Sequence, residues 1–220
     1  MTGRIVASIP ESLFPLALVL GGGSFGHYMS HKYSIPGPVT ENSSLGASIV
    51  HDDMGSLSAL VSEILRQRGI STFSFSPAEL MKEGTPEYSE PLRYLEKGVV
   101  PIMYGDVYLA GDRYEIYSGD RIMLDLCKTG IFTRSVFLTD VDGIYDKDPR
   151  KFSDAKLLPK IEGKIEFTRR EGDVTGGMAL KYASMNEIKK YVREVYLMNG
   201  NYPKRMAQIG TSGFLGTVMN

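Results

Sequence analysis

The hydrophobic positions of this chain alternate between short apolar runs and spacings of three and four residues. The run at 16–20 predicts a first strand, and the spacing over 43–68 predicts a long helix with one buried face that stops at Gly69. The same reasoning predicts further strands at 70–75, 99–104, 135–139, 195–198 and 214–219, and helices at 91–97, 118–128 and within 175–192. Apolar strands that alternate with helices predict an α/β fold, a three-layer sandwich around a mostly parallel sheet.

A β-hairpin is predicted where two short apolar segments, 107–109 and 114–117, flank the stretch Ala110-Gly111-Asp112-Arg113. Such a stretch between two strands is typical of a hairpin turn. We expect the hairpin at the edge of the main sheet, where it could cover a ligand.

Composition narrows the function classes. The 25 basic and 26 acidic residues leave a formal net charge of −1, so no broad electrostatic field would attract nucleic acid or a membrane. Cys127 is the only cysteine of the sequence, which excludes an internal disulfide and a cysteine metal cluster and favours an intracellular compartment. No apolar run approaches the ~20 residues that span a bilayer. We expect a soluble, cytoplasmic, single-domain protein whose anion binding is local.

The stretch Gly21-Gly22-Gly23-Ser24-Phe25-Gly26-His27 follows the first predicted strand. Glycines at a strand end let backbone N–H groups approach an anion, and a following helix N-terminus adds a favourable dipole. His27 can donate a hydrogen bond to a phosphate oxygen. A tight structural turn is the alternative interpretation. His31 is interpreted as a surface group and His51 as an ordinary residue of the long helix.

A second candidate is the acidic turn at 138–149, which follows a buried strand. It lacks the glutamate that closes an EF-hand loop, so a calcium site is disfavoured. A nucleotide fits better, because Asp140 can accept a hydrogen bond from a base or ribose and Tyr145 can present an aromatic face. A plain surface turn remains the alternative.

Two more segments combine glycine with charge. Residues 172–181 place glycines at a helix start and Lys181 one turn later, so that N–H donors and an ammonium could meet one anion, although the spacing is not that of a Walker motif. Ser118-Gly119-Asp120 starts another helix. A solvated lysine and an ordinary N-cap are the alternatives. Together, these strand ends favour a nucleotide and a second phosphate.

These motifs resemble the amino-acid kinase superfamily and, within it, the archaeal isopentenyl phosphate kinases. The resemblance runs from about Leu16 to the C-terminus. It is carried by Gly-Gly-Gly-Ser-Phe-Gly-His at 21–27, Tyr-Gly-Asp-Val at 104–107, Tyr-Ser-Gly-Asp at 117–120, Phe-Leu-Thr-Asp-Val-Asp-Gly-Ile-Tyr at 137–145 and Asp-Val-Thr-Gly-Gly-Met at 173–178.

The resemblance implies ATP-dependent phosphorylation of isopentenyl phosphate in an archaeal-type mevalonate route, with ATP and Mg²⁺ as cofactors and a homodimer as the assembly. It divides the single domain into a substrate-binding half at about 1–130 and an ATP-binding half at about 131–220. In the first half, Gly22 and His27 would contact the substrate phosphate, and Gly119 would also bind the substrate. Asp120 would organise the catalytic groups, and Ile116 would line the pocket for the apolar tail.

On the nucleotide side, the resemblance places Gly23 beside the ATP phosphates. It assigns ATP binding to Asp140, Tyr145, Gly177 and Lys181. It assigns catalysis to His27, Asp120 and Lys181. It assigns no residue as a metal ligand.

The family pattern also begins with a strand that runs into Lys-x-Gly-Gly-Ser, and nothing similar precedes Leu16. We therefore expect that first strand and its phosphate loop to be missing here, with impaired activity, since loss of a charge-stabilising donor typically costs ~10²–10³ in rate. Two alternatives stay open. One is a related kinase that acts on UMP or an acidic metabolite, and the other is a nucleotide-binding module without catalysis.

Overall fold

The computed structural model describes residues 2–161 and 176–220 of the chain. Its helices are α1 (Thr2–Ala7), α2 (Gly23–Lys32), α3 (Glu41–Arg66), α4 (Pro77–Leu80), α5 (Ser89–Glu96), α6 (Gly119–Lys128) and α7 (Gly176–Ile188). Its strands are β1 (Leu18–Leu20), β2 (Gly37–Pro38), β3 (Thr72–Phe75), β4 (Met81–Lys82), β5 (Thr85–Pro86), β6 (Val100–Tyr104), β7 (Asp106–Ala110), β8 (Arg113–Tyr117), β9 (Arg134–Thr139), β10 (Lys160–Ile161), β11 (Glu194–Asn199) and β12 (Thr217–Met219). The predicted α/β fold is confirmed.

The chain divides into two compact units. The first unit comprises Leu13–Asp125 together with Thr2, and the second comprises Leu126–Asn220 together with Gly3–Ser12. The boundary lies within α6.

The main sheet of the first unit is parallel, in the order β1-β6-β3. All five residues of the central strand β6 are buried, as expected for a strand of a parallel sheet that is covered on both faces. Fully buried side chains of α3, Val61 and Leu65, and of β6, Ile102 and Met103, form much of the core of this unit.

The long helix α3 starts with a reciprocal cap. The Thr40 side chain accepts a hydrogen bond from the Ser43 N–H (3.1 Å), and the Ser43 hydroxyl accepts one from the Thr40 N–H (2.8 Å). This capping box explains why the helix begins at Glu41, before the first apolar position of the pattern. At Gly46 a Cβ would lie 2.2 Å from the Cβ of Tyr33, so only glycine lets the end of α2 pack here.

The predicted hairpin is strands β7 and β8, joined by Gly111 and Asp112, with Gly111 at a positive φ of 63°. Its expected position at the edge of the main sheet is wrong: β8 pairs with β2, and these strands form a separate three-stranded sheet because the chain turns away from β6 at Gly105. Within the hairpin, Val107 lies opposite Ile116, and Leu109 lies opposite Tyr114.

The second unit contains the four-stranded sheet β10-β12-β11-β9. Strands β9 and β11 pair in parallel over six residues, whereas β11 and β12 are antiparallel. Fully buried Val195, Leu197 and Met198 of β11 and Met185 and Ile188 of α7 form its core.

Candidate functional site

A backbone cradle lies at the carboxyl end of β1. The Gly105 N–H donates to the Leu20 carbonyl at 2.9 Å. A Cβ on Gly119 would lie 3.3 Å from that same carbonyl oxygen and 3.6 Å from the Cα of Gly21, and a Cβ on Gly105 would lie 2.8 Å from the Gly119 nitrogen. The backbones of three glycines therefore meet at one strand end, and at position 105 a side chain has no room.

Two helices begin at this cradle. Helix α6 starts at Gly119, and α2 starts at Gly23 with Gly22 as its N-cap. The N-cap makes no side-chain capping bond, and the first turn of α2 holds no acidic residue. The N–H groups of a first helical turn have no acceptor within the helix, and the helix dipole gives this end a partial positive charge. The predicted contacts of Gly22 and Gly23 with phosphate, and of Gly119 with the substrate, thus fall on backbone suited to bind an anion.

The predicted catalytic side chains near this cradle are His27 and Asp120. His27 lies one turn into α2, but its side chain is outside the part of the molecule that the structure describes, so its role stays a prediction. Asp120 occupies the first turn of α6. The Ser118 hydroxyl accepts a hydrogen bond from the Arg121 N–H at 3.2 Å, which supports the ordinary N-cap interpretation of this motif, and the catalytic role of Asp120 stays a prediction.

An apolar cluster adjoins the cradle. Leu20, whose carbonyl belongs to the cradle, packs with its side chain against this cluster. Tyr104 and Val107, which flank Gly105 in sequence, are members of it. The remaining buried members are Ile35, Ala47, Val50 and Met54. A ligand with an anionic head in the cradle would therefore have apolar surface directly beside it.

Ile116 adds accessible apolar surface at the same place. It lies directly opposite Val107 across the hairpin, and residues that face each other in an antiparallel pair share one face of the ribbon. Val107 is 6% exposed, whereas Ile116 is 40% exposed. The structure thus leaves Ile116 open to contact a ligand, as its predicted role requires.

In the second unit, the acidic turn after β9 is held by ion pairs. Arg150 pairs with Asp140, which is exposed. Asp142 accepts hydrogen bonds from Asn199 (3.0 Å) and Arg205 (2.8 Å). These contacts fix the turn to the end of β11 and to the segment that follows it.

Tyr145 lies partly buried in the same turn and forms an isolated bridge with Leu157. Burial, followed by the nearby Asp142 carboxylate, raises the pKa of its hydroxyl, so Tyr145 stays protonated and can donate a hydrogen bond.

The predicted ATP-binding helix is α7. Gly176 and Gly177 are its first two residues. Lys181 lies one turn later with its Nζ 5.1 Å from the ring centroid of Phe137, a residue of β9. The structure therefore brings Lys181 to the strand that precedes Asp140. The motif residues at 172–175 lie outside the described residues.

Sequence reasoning missed a histidine–aspartate pair. His51 Nδ1 lies 2.6 Å from Asp106 Oδ2, and the Asp106 side chain is completely buried. The available signal was an aspartate two positions after the fully buried strand β6, next to the apolar segment 107–109, because a carboxylate is rarely buried without a partner.

A buried network around Tyr117 was also missed. Its hydroxyl donates to Asp125 at 2.5 Å and contacts the Tyr88 hydroxyl at 2.9 Å. Arg121 donates to the same carboxylate oxygen at 3.0 Å. Burial, followed by the hydrogen bond to Asp125, raises the pKa of Tyr117. The network ties the last residue of β8 to α6 and so holds the helix that starts at Gly119.

Two features of residues 2–161 and 176–220 bear on ligand class. Among their helices, none combines the length and apolar character needed to cross a membrane. Within the same ranges, no group of three or more histidine, cysteine, aspartate or glutamate side chains could hold a metal ion.

Comparison with known proteins identifies the family to which the chain belongs. Residues 3–199 match the sequence model of the amino acid kinase family. The chain belongs to this family. Among members of the amino acid kinase family, it is 44% identical to the isopentenyl phosphate kinase of Thermoplasma acidophilum over 206 residues, which is 93% of this chain and 84% of that enzyme. It is 30% identical to the isopentenyl phosphate kinase of Methanothermobacter thermautotrophicus over 205 residues, 86% of this chain and 77% of the relative.

The fold agrees with solved structures of the same family. A crystal structure of the T. acidophilum isopentenyl phosphate kinase product complex superposes with a TM-score of 0.86 at 40% identity, covering 100% of this chain and 89% of that one. The resemblance found in the sequence motifs is therefore confirmed.

Proposed function

We propose that this protein is a kinase that transfers the γ-phosphoryl group of ATP to isopentenyl phosphate and releases isopentenyl diphosphate and ADP. The observation that carries the proposal is the continuity of the glycine cradle with the apolar cluster through Leu20. This arrangement suits a short alkyl monophosphate, which has one anionic end and one apolar end. The relatives named isopentenyl phosphate kinase support the same acceptor.

In the proposed reaction, an oxygen of the acceptor phosphate attacks the γ-phosphorus of ATP. The new P–O bond forms as the bond between the γ-phosphorus and the β,γ-bridging oxygen breaks, and ADP leaves with that electron pair. The acceptor is already an oxyanion at neutral pH, so no strong general base is required. Catalysis consists of alignment and neutralisation of charge. The N-terminal N–H groups of α2 and α6 would bind the acceptor phosphate, with His27 as a further donor.

The second unit would bind ATP. Tyr145 and Asp140 would contact the nucleoside, and Gly177 and Lys181, at the start of α7, would contact the phosphates. Gly23 would lie beside the ATP phosphates, and Asp120 would organise the catalytic groups. These roles follow the sequence resemblance, and the placement of Lys181 beside β9 supports the nucleotide side.

Mg²⁺ would enter with ATP. It commonly binds substrate phosphates and water together with only one or two carboxylates. The described residues offer no group of three or more histidine, cysteine, aspartate or glutamate side chains for a resident ion, so the phosphates of ATP would hold most of the coordination. We further propose a cytoplasmic homodimer in an archaeal-type mevalonate route, on the resemblance alone.

Phosphate transfer by the chain tests the proposal. ADP formation and the diphosphate product would be followed with MgATP and isopentenyl phosphate, with UMP and glutamate as competing acceptors. We expect turnover of the alkyl monophosphate and little of the others, because neither competitor offers a matching apolar tail. Preference for UMP or glutamate would favour the related-kinase alternative. ATP binding without turnover of any acceptor would favour the non-catalytic module.

The role of His27 is tested by His27→Ala, with His31→Ala as the matched control on the same helix, where His31 is exposed. Loss of one charge-stabilising donor typically lowers kcat by ~10²–10³. We expect that loss for His27→Ala and none for His31→Ala. Equal activity of the two variants would exclude the assigned role.

A further inference from the structure

Two polar contacts join α3 to the β7–β8 hairpin. His51 Nδ1 lies 2.6 Å from Asp106 Oδ2, and the Tyr114 hydroxyl donates to the Ser44 hydroxyl at 3.3 Å. Ser44 and His51 are separated by seven positions, close to two helical turns, and therefore lie on the same side of α3. The helix and the hairpin are thus joined at two levels along one face.

The contact with Asp106 is the stronger of the two. The Asp106 side chain is completely buried, whereas half of the His51 side chain is exposed. The other carboxylate oxygen of Asp106 accepts the Val107 N–H at 2.7 Å, which fixes the carboxylate to the backbone of β7. Burial raises the pKa of Asp106, and the hydrogen bond to His51 acts in the opposite direction. Separation of α3 from the hairpin would leave the buried Asp106 carboxylate without its His51 partner. The free-energy cost of that unpaired acceptor opposes the separation.

Part of the apolar cluster lies between these two levels. Ala47 and Val50 of α3 and Val107 of the hairpin are each at most 6% exposed. Since these side chains are already packed together, an apolar tail that reaches beyond accessible Ile116 can extend only if the hairpin moves away from α3. That movement would break the contact between His51 and Asp106.

We propose that the His51–Asp106 pair, here called the polar clamp, determines the tail length of the acceptor by fixing the spacing between α3 and the hairpin. The inference rests on the proposed function. Both residues act as positioning residues, through the apolar walls that they hold, and neither is assigned contact with the reacting phosphates.

The experiment compares kcat/KM for isopentenyl phosphate and for geranyl phosphate, whose tail is twice as long. His51→Ala removes the clamp, whereas His51→Asn places an amide donor near the position of Nδ1. Asp52→Asn is the matched control, because Asp52 is an exposed neighbour on the same helix. We expect His51→Ala to raise the ratio of geranyl to isopentenyl activity about tenfold, the usual scale of discrimination in an apolar pocket. His51→Asn should restore the wild-type ratio, and Asp52→Asn should not change it.

An unchanged ratio in an active His51→Ala variant would overturn the proposal, as would an equal loss of activity on both acceptors without rescue by asparagine. If His51→Ala does not fold, Asp106→Asn replaces it, because the amide keeps the acceptor for the Val107 N–H while the carboxylate is lost. The ratio of geranyl to isopentenyl activity should also rise for Asp106→Asn. If the ratio does not rise, the proposal is overturned.

Failure of the proposed function would be recognised separately. In that case the wild-type protein would phosphorylate neither acceptor. Calorimetric binding of the same two alkyl monophosphates would then compare the variants, with relative affinity for the longer tail expected to rise for His51→Ala. Unaltered relative affinity would contradict the clamp itself.

Discussion

Gly105→Ala tests whether the backbone cradle determines activity. Gly105 links β6 to β7, and a Cβ there would lie 2.8 Å from the Gly119 nitrogen and 3.4 Å from both the Ser118 carbonyl carbon and the Tyr117 carbonyl oxygen. All three neighbours are backbone atoms. The methyl group would lie 0.6 Å inside the 3.4 Å at which ordinary contact begins, so the start of α6 must move by a comparable amount.

Such a shift acts on the site more than on the fold. Overpacking of this kind typically costs ~1–3 kcal/mol of stability. A misplacement of ~1 Å can cost ~10²-fold in rate, so a shift of about half that size predicts a fall in kcat/KM of roughly ten- to a hundredfold. The wild type and the variant would be assayed with saturating MgATP and varied isopentenyl phosphate, at a temperature where thermal unfolding shows both to be folded.

Gly55→Ala is the matched control for this substitution. Gly55 lies within α3, its φ is not positive, and a Cβ there meets no atom within 4 Å. Alanine should stabilise the helix by ~0.5–1 kcal/mol and leave activity unchanged. If Gly105→Ala retained wild-type kcat/KM, the cradle would not be the acceptor phosphate site, and the mechanism derived from it would fail.

Two other predictions concern buried polar groups. Tyr117→Phe removes the donor to Asp125 and should lower the free energy of unfolding by ~1–3 kcal/mol, measured by urea titration; a neutral effect would show that the network does not hold α6. Burial raises the pKa of the Asp106 carboxyl, so folding favours the protonated form of Asp106. The stability that this preference contributes is fully present below the unfolded pKa of about 3.9 and is lost as the pH rises through the folded pKa. The stability of the wild type relative to Asp106→Asn should therefore fall as the pH rises above about 4, and a difference that stays constant or rises would refute the sign of the shift.

The sequence predicted the long regular elements because their apolar periods are strong. The prediction of a helix over 43–68 is confirmed by α3, and that of a strand over 99–104 by β6. The short elements carry no such period. Strand β2 has only two residues and exists because Gly37 and Pro38 pair with β8, and α4 is a single turn whose start is fixed by a capping box between Ser76 and Glu79.

The glycine positions of the candidate site were predictable for a chemical reason. Where another backbone segment or an anion approaches a strand end closely, a side chain has no room. Glycine is favoured at such positions, and it is visible in the sequence. The partner of His51 was not predictable, because Asp106 lies 55 positions away and only the packing of α3 on the hairpin brings the two together. The same limit applies to Tyr117 and Tyr88, whose hydroxyl contact depends on packing between separate elements.

The cradle at the end of β1 is built from main chain, and this has a consequence for how acceptor preference can evolve. Every residue except proline carries the same main-chain N–H group, so substitution can destroy the cradle but offers few ways to retune it. The walls beside it, on α3 and on the hairpin, are made of side chains that can change in size one at a time. Divergence of acceptor choice among homologues should therefore accumulate in those walls, while the head-group chemistry is inherited unaltered.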